Sequence, residues 1–407
     1  MSQTLHDKAL AYHQEGRPGK INVTSHKKLD NDQDLSLAYS PGVAAPVREI
    51  VKDPGAVNKY TIKGNLVAVI TDGSAVLGLG NVGPLAAKPV MEGKAVLFKR
   101  FAGIDVFNIE LNTQDVEEII STIKNIAPTF GGINLEDISA PRCFEIEKRL
   151  IDELDIPVFH DDQHGTAIIV AAGLLNALEI QEKNFNEAKI VCAGAGSAGI
   201  ATLNLLLTLG FSKNNILLVD RNGVVSTKSK NLSKEKLAFA AVTDKITLSD
   251  AINGSDVFIG VARGNLVTQE MVKSMAKRPI IFALSNPDPE ISPVDVYACR
   301  DDVLMATGRS DYPNQVNNVL GFPYIFRGAL DANSKIINTE MKVAAVHALK
   351  DLVKLPAPKE LLAIYKDSSL TFGKDYFIPK PFDPRLIEVV PKAIFEAAVA
   401  SGASRQK

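Results

Sequence analysis

Two pairs of adjacent carboxylates and one glycine-rich turn are where this sequence could gather chemistry. Glu136-Asp137 and Asp161-Asp162 each follow an apolar run that reads as a strand, GINL and IPVFH. Neighbouring residues of a strand point to opposite faces, so both members of a pair converge only where the strand has ended. Three or four carboxylates meeting there would repel one another unless a cation compensated them. Oxygen ligands select a hard ion, Mg²⁺ or Mn²⁺, over zinc. The competing reading is exposed loop acids, since Asp and Glu mostly lie on surfaces. His160 and His164, at i, i+4 around the second pair, suggest a helical zinc pair instead; His160 ends a strand, which argues against a shared helical face.

The glycine turn is Gly194-Ala195-Gly196-Ser197-Ala198-Gly199, a G-x-G-x-x-G between the strand Lys189–Ala193 and a helix with Ile200, Leu203 and Leu207 on one stripe. In a dinucleotide site the first glycine permits the tight turn, the second admits the pyrophosphate, and the third lets helix and strand pack closely. The helix N-terminus supplies N–H groups and partial positive charge. Asp220 closes the next strand about 20 residues further on, where a carboxylate meets a ribose hydroxyl. Arg221 beside it suits adenine stacking or a 2′-phosphate, and Lys228 and Lys230 are either phosphate contacts or solvated charges. NAD and NADP both stay open.

Alternating strands and helices must position these groups. The runs LVAVI (66–70), Ile104–Ile109, Gly132–Leu135 and IPVFH alternate with helical segments near Thr113–Ile126 and Arg142–Glu153, which predicts an α/β fold with a largely parallel sheet. Ligands bind such sheets beyond the carboxyl ends of the strands, where Asp72-Gly73 and both acidic pairs fall. After a helix over about Thr166–Leu178, five further strand cores (KIVCA, ILLVD, VFIGVA, PIIFAL and VLMATG) describe a Rossmann-like doubly wound nucleotide-binding domain. The region after about Gly328 reads as helical, clearest at Met341–Val353, and ends in the polar tail SGASRQK. The predicted division is an N-terminal α/β domain over 1–160, the dinucleotide domain over 161–385 and a C-terminal helical tail over 386–407.

At 407 residues, two or three domains are expected. Forty-five basic against 47 acidic residues give a net charge of −2, without the basic excess of a nucleic-acid binder. Three scattered cysteines, Cys143, Cys192 and Cys299, cannot form a disulfide framework and fit a reducing compartment. The start, MSQTLHDKAL, is too polar for a signal peptide, so a cytoplasmic protein is expected. Ile190–Ser212 carries no charge and is long enough to span a bilayer, but its glycines read as strand, turn and helix.

The motifs YSPGVA (39–44), TDGSAVLGLGNVGPLAAKPVMEGKAVLFK (71–99), INLEDI (133–138), HDDQHGTA (160–167), GAGSAG (194–199), SNPDPE (285–290) and PNQVNN (313–318) together resemble the malic enzymes, in particular the short bacterial type, over about Leu37–Gly328. The resemblance implies oxidative decarboxylation of L-malate to pyruvate and CO₂ with NAD(P)⁺ and a divalent metal, in a homodimer whose N-terminal segment contributes to the neighbouring site. It implies Glu136, Asp137 and Asp162 as metal ligands, Lys94 as general base oriented by Asp161, and Tyr39 as the acid that protonates the enol. Asn286 and Asn318 match the substrate-contacting asparagines, with Asn286 also at the coenzyme. Burial beside a metal is expected to lower the pKa of Lys94. Ser74-Ala75-Val76 stand where larger family members have a carboxylate-binding arginine, so Arg142 or backbone N–H groups of Gly78–Gly83 are the candidates for the malate C4 carboxylate. The acyltransferase-like extension of long bacterial forms is not expected. A non-decarboxylating 2-hydroxy-acid dehydrogenase and a non-catalytic NAD(P)-binding regulator are the alternatives.

Overall fold

Two parallel sheets organise the computed structural model, which describes residues 4–405. The first sheet holds β1 (Leu66–Thr71), β2 (Asp105–Glu110), β3 (Gly132–Leu135) and β4 (Val158–His160) in the order β2-β1-β3-β4. The second holds β5 (Ile190–Ala193), β6 (Ile216–Asp220), β7 (Gly223–Val224), β8 (Val257–Gly260), β9 (Ile280–Ala283) and β10 (Leu304–Thr307). Its order is β10-β9-β8-β5-β6-β7, with only the short β7 antiparallel. The chain leaves β5 toward β6 and later returns to β8 on the other side, which makes β5/β8 the switch point of a doubly wound sheet.

Both central strands are covered on both faces, as their continuous apolar sequences require. Val67 and Val69 of β1 join one core with Phe98 of the helix Pro84–Ala102, while Leu66, Ala68 and Ile70 face a second core with Ile119, Ile120 and Ile123. Those three isoleucines lie on the helix Val116–Ile126, which starts where Asp115 accepts the Glu118 N–H at 2.9 Å. Ile190 and Cys192 of β5 point into the first core, and Val191 and Ala193 into another.

The helix expected from Thr166 starts at Asp161, directly after β4, and runs to Ile180. Gly165 makes this possible: a Cβ there would lie 2.0 Å from the Asp161 Oδ1, so only glycine lets that carboxylate fold back over its own first turn. The segment 161–165 is polar and reads as loop, but it is helical and largely buried. The body of the helix packs on the helices Ser197–Thr208 and Thr339–Leu352, and Asn176 donates to the carbonyls of Lys350 and Phe377 at 2.9 and 3.0 Å.

The region after Gly328 is not uniformly helical. Helices Thr339–Leu352, Lys359–Tyr365 and Leu386–Ala400 are separated by irregular chain over 353–358 and 366–385. The last helix buries Leu386, Val390, Ile394 and Ala398. Of the two polar chain ends read from sequence, residues 1–3 and 406–407 lie outside the described residues. The uncharged Ile190–Ser212 stretch is β5, the glycine turn and a 12-residue helix. No described helix is long and apolar enough to cross a membrane. The helices Leu5–Gln14, Asp32–Ala38 and Ala44–Lys52 bury none of their residues.

Candidate active site

A cleft of about 630 Å³ lies between the carboxyl ends of the two sheets. From the first sheet's side it is lined by Lys94, Glu136, Asp137 and Asp162, and from the dinucleotide side by Ser197, Ala198 and Asn286. Both acidic pairs sit at strand ends, as expected. Leu135 ends β3, and Asp137 then adopts φ 54°, a left-handed conformation that Asp tolerates better than most residues. That reversal turns the Asp137 carboxylate to the same side as Glu136. The Asp137 N–H donates to Asp162 Oδ2 at 2.7 Å, joining the two stretches.

Glu136, Asp137 and Asp162 each offer an oxygen, all within 4.8 Å of one another. Glu136 is buried, its Oε2 accepting the Asn134 amide at 2.9 Å. Burial, followed by the charges of Asp162, Asp161 and Asp137, raises its carboxyl well above the ordinary range despite Lys94. An all-oxygen, crowded and partly buried set of this kind fits a hard divalent cation. Neither histidine belongs to it. His160 is fully buried at the end of β4, its backbone N–H donating to Glu147 at 3.0 Å, and the His164 ring is bonded to the same Glu147, 3.0 Å away. Neither ring joins a cluster of metal-ligating groups among the described residues, so the structure does not support the zinc reading.

Lys94 projects from the Pro84–Ala102 helix into the same cluster. Its Nζ is 3.0 Å from Glu136 Oε1, pairs with Asp161 Oδ2 and lies 4.3 Å from the centre of the Phe322 ring. Burial pulls this ammonium down, but Asp161, Glu136 and Asp162 outweigh it and hold the pKa above the usual lysine value. The direction is opposite to the one expected from sequence, because three carboxylates act before any cation offsets them. Asp161 is fully buried; its Oδ2 also accepts the Asn318 amide at 3.2 Å, and Asn318 Oδ1 in turn accepts the Thr166 hydroxyl at 3.1 Å.

Four sequence-derived candidates lie elsewhere. The Tyr39 ring, at the end of the Asp32–Ala38 helix, is 72% exposed and does not line the cleft. Arg142 spends its guanidinium on Asp72 at 2.9 Å, Ser74 at 3.0 Å and Ser139 at 3.1 Å. It braces the strand-end loops and does not line the cleft, which Gly78 does. Lys228 pairs with Asp244 on the surface, and neither it nor Lys230 reaches the coenzyme side.

The glycine turn adopts the geometry its sequence predicts. Gly194 has φ 116°, and a Cβ on Gly199 would lie 1.9 Å from the Gly194 carbonyl oxygen. A second cavity of about 880 Å³ opens beside it, lined by Gly194, Asp220, Arg221 and Lys236. Lys236 was not singled out in the sequence, because nothing in its spacing marks it; its Nζ meets Asp220 Oδ2 at 2.6 Å.

A glycine turn at the switch point of a doubly wound sheet, opening on a lysine among carboxylates, defines a dinucleotide-dependent oxidoreductase. Two family models match, the malic enzyme N-terminal domain over residues 18–151 and the malic enzyme NAD binding domain over 163–366. The chain belongs to the malic enzyme family. It is 55% identical over 406 residues to the NADP-dependent malic enzyme of Halomonas elongata, covering 100% of this chain and 96% of that one. It is 54% identical to the NADP-dependent malic enzyme of Escherichia coli K12, covering 99% of this chain but 53% of that longer protein. The crystal structure of malic enzyme from Pyrococcus horikoshii superposes with a TM-score of 0.90 at 42% identity, covering 99% of this chain and 93% of that one.

Proposed function

We propose that this chain oxidises L-malate at C2 and releases CO₂ to give pyruvate, with NADP and Mg²⁺ or Mn²⁺. One observation carries the reading: the Lys94 ammonium sits between Asp161 and Glu136, beside a carboxylate cluster and in the cleft that the glycine turn also lines. NADP is favoured over NAD because Lys236 occupies Asp220 and stands with Arg221 in the adenosine-side cavity, where a 2′-phosphate needs cations.

The division of labour follows from the geometry. Lys94 is the group that takes the proton of the C2 hydroxyl, and Asp161 and Glu136 hold its Nζ in place for that transfer. Asn318, steadied by Asp161 and Thr166, and Asn286 from the facing loop present amides to the substrate. The chemistry NADP supplies is acceptance of the hydride from C2. A divalent cation held by Glu136, Asp137 and Asp162 would stabilise negative charge on the C2 oxygen as CO₂ leaves, and would offset the carboxylates that keep Lys94 protonated. Protonation of the enol at C3 falls to Tyr39 only in a homodimer, with the exposed N-terminal helices of one copy reaching the other's cleft. Their lack of buried residues supports that arrangement.

The test is initial-rate kinetics with L-malate and Mn²⁺ and each nicotinamide coenzyme, with CO₂ measured. One CO₂ per reduced coenzyme is expected. Coenzyme reduction without CO₂ would make the chain a non-decarboxylating dehydrogenase, and tight coenzyme binding without turnover would make it a regulator.

A further inference from the structure

The glycine turn is one wall of the coenzyme cleft, and the loop after β8 is the other. Strands β5 and β8 are neighbours at the switch point, so the loops leaving them face each other where such sheets bind ligands. They approach closely: a Cβ on Gly194 would lie 2.5 Å from the Val261 carbonyl oxygen. The β8 loop is also held firmly. The Val261 N–H donates to the Ala193 carbonyl at 2.9 Å, and the Ala262 N–H donates to the fully buried Glu290 carboxylate at 2.9 Å.

This anchored loop carries Arg263. The residue lines both cavities, the one walled by Ser197 and Ala198 and the one walled by Gly194 and Asp220. The other cations lining either cavity are Lys94, Arg221 and Lys236, and none of them lines both. Lys94 and Lys236 are already paired with carboxylates, whereas Arg263 forms no ion pair among the described residues.

We infer that Arg263 is the cation that closes over the coenzyme's diphosphate, opposite the N-terminus of the Ser197–Thr208 helix. The diphosphate is the part of a dinucleotide that must lie at the seam between a nicotinamide-side and an adenosine-side cavity. It carries two negative charges, and the helix terminus offers only about half of one positive charge. A guanidinium supplies a full charge and a planar fork that matches phosphate oxygens. Because NAD and NADP share the diphosphate, Arg263 contributes to both equally and does not discriminate between them. The inference rests on the NAD(P) cleft of the reading above.

The experiment measures Kd for NADPH and for NADH by fluorescence titration of the full chain, in wild type, Arg263→Gln and Arg263→Lys. For Gln, both Kd values are expected to rise by the same factor, about tenfold or more for one lost charge-assisted contact. Lys is expected to recover part of the loss, and the malate KM at saturating coenzyme to stay unchanged. Unchanged Kd values in Arg263→Gln would overturn the assignment. A rise confined to NADPH would move Arg263 to the 2′-phosphate, and a rise confined to malate KM would move it to a substrate carboxylate; either overturns the inference. A wild-type chain that binds neither coenzyme would sink the underlying reading instead.

Discussion

Replacing Lys94 by methionine tests charge and chemistry together. The substitution nearly keeps the volume and removes the ammonium that stands between Glu136 and Asp161, which are 3% and 0% exposed. Two buried carboxylates are left without their cation. Removing one partner of a buried ion pair costs about 3–5 kcal/mol. Unfolding entropy of about 2.1 cal/mol/K per residue gives about 0.85 kcal/mol/K over 407 residues. The metal-free variant should therefore melt about 4–6 °C below wild type. Mn²⁺ supplies the missing positive charge, so it should raise the melting temperature of Lys94→Met more than that of wild type. Turnover of malate should fall by about 10²–10⁴-fold even with Mn²⁺ saturating, the range for a lost general base. Scanning calorimetry with and without Mn²⁺, alongside initial rates, reads all three effects. Near-normal turnover would refute the base assignment, and an unaltered metal-free melting temperature would refute the electrostatic reasoning.

Asp162→Ala should weaken Mn²⁺ binding by at least about 10–100-fold, the loss typical of even outer-shell changes at a metal; a titration matching wild type would remove Asp162 from the ligand set. Gly199→Ala pushes a methyl against the Gly194 carbonyl and should abolish NADPH binding while Mn²⁺ binding persists; retained fluorescence enhancement on NADPH addition would contradict the turn geometry. Mixing inactive Lys94→Met with inactive Tyr39→Phe should restore part of the activity, because each hybrid dimer holds one intact site if Tyr39 acts across the interface; no recovery would place the tyrosine's role within its own chain or nowhere. Burial raises the Glu147 carboxyl, but His164 and Lys342 outweigh it and bring it down to about 2. Its contribution to stability is thus complete above the unfolded value of about 4.3 and is lost as pH falls through about 2. Glu147→Gln should flatten that acid limb of the melting curve, and an identical limb would show that Glu147 is not its source.

Much of this arrangement was legible from the sequence, for identifiable reasons. Short, continuous apolar runs marked β1, β3 and β4, and strand ends in a parallel sheet are where ligands gather, so Glu136, Asp137, Asp161 and Asp162 could be singled out from the sequence. The glycine turn was legible because strand, turn and helix occur in one continuous stretch. Lys236 was missed because its link to Asp220 is tertiary and leaves no local pattern. Arg142 stood beside the Gly78–Gly83 backbone as a candidate because sequence lists a cation without listing the carboxylate and hydroxyls next to it. The early start of the Asp161–Ile180 helix was hidden by its polar first turn, whose stability depends on the space left at Gly165. Lys94 was expected to have a lowered pKa because burial can be guessed from sequence, whereas the number of carboxylates around an amine cannot.

The junction between β4 and that helix has a mechanical consequence. With no loop between them, Asp161 and Asp162 ride on the tip of a rod about 30 Å long, whose shaft is gripped by the dinucleotide half. A small tilt of the shaft, whether from coenzyme settling on the neighbouring helix or from a partner molecule pressing on it, is delivered at the tip as a displacement of two acids against Lys94 and Glu136. Seating of a coenzyme against the dinucleotide half and the placement of these acids around Lys94 are thereby linked through one helix.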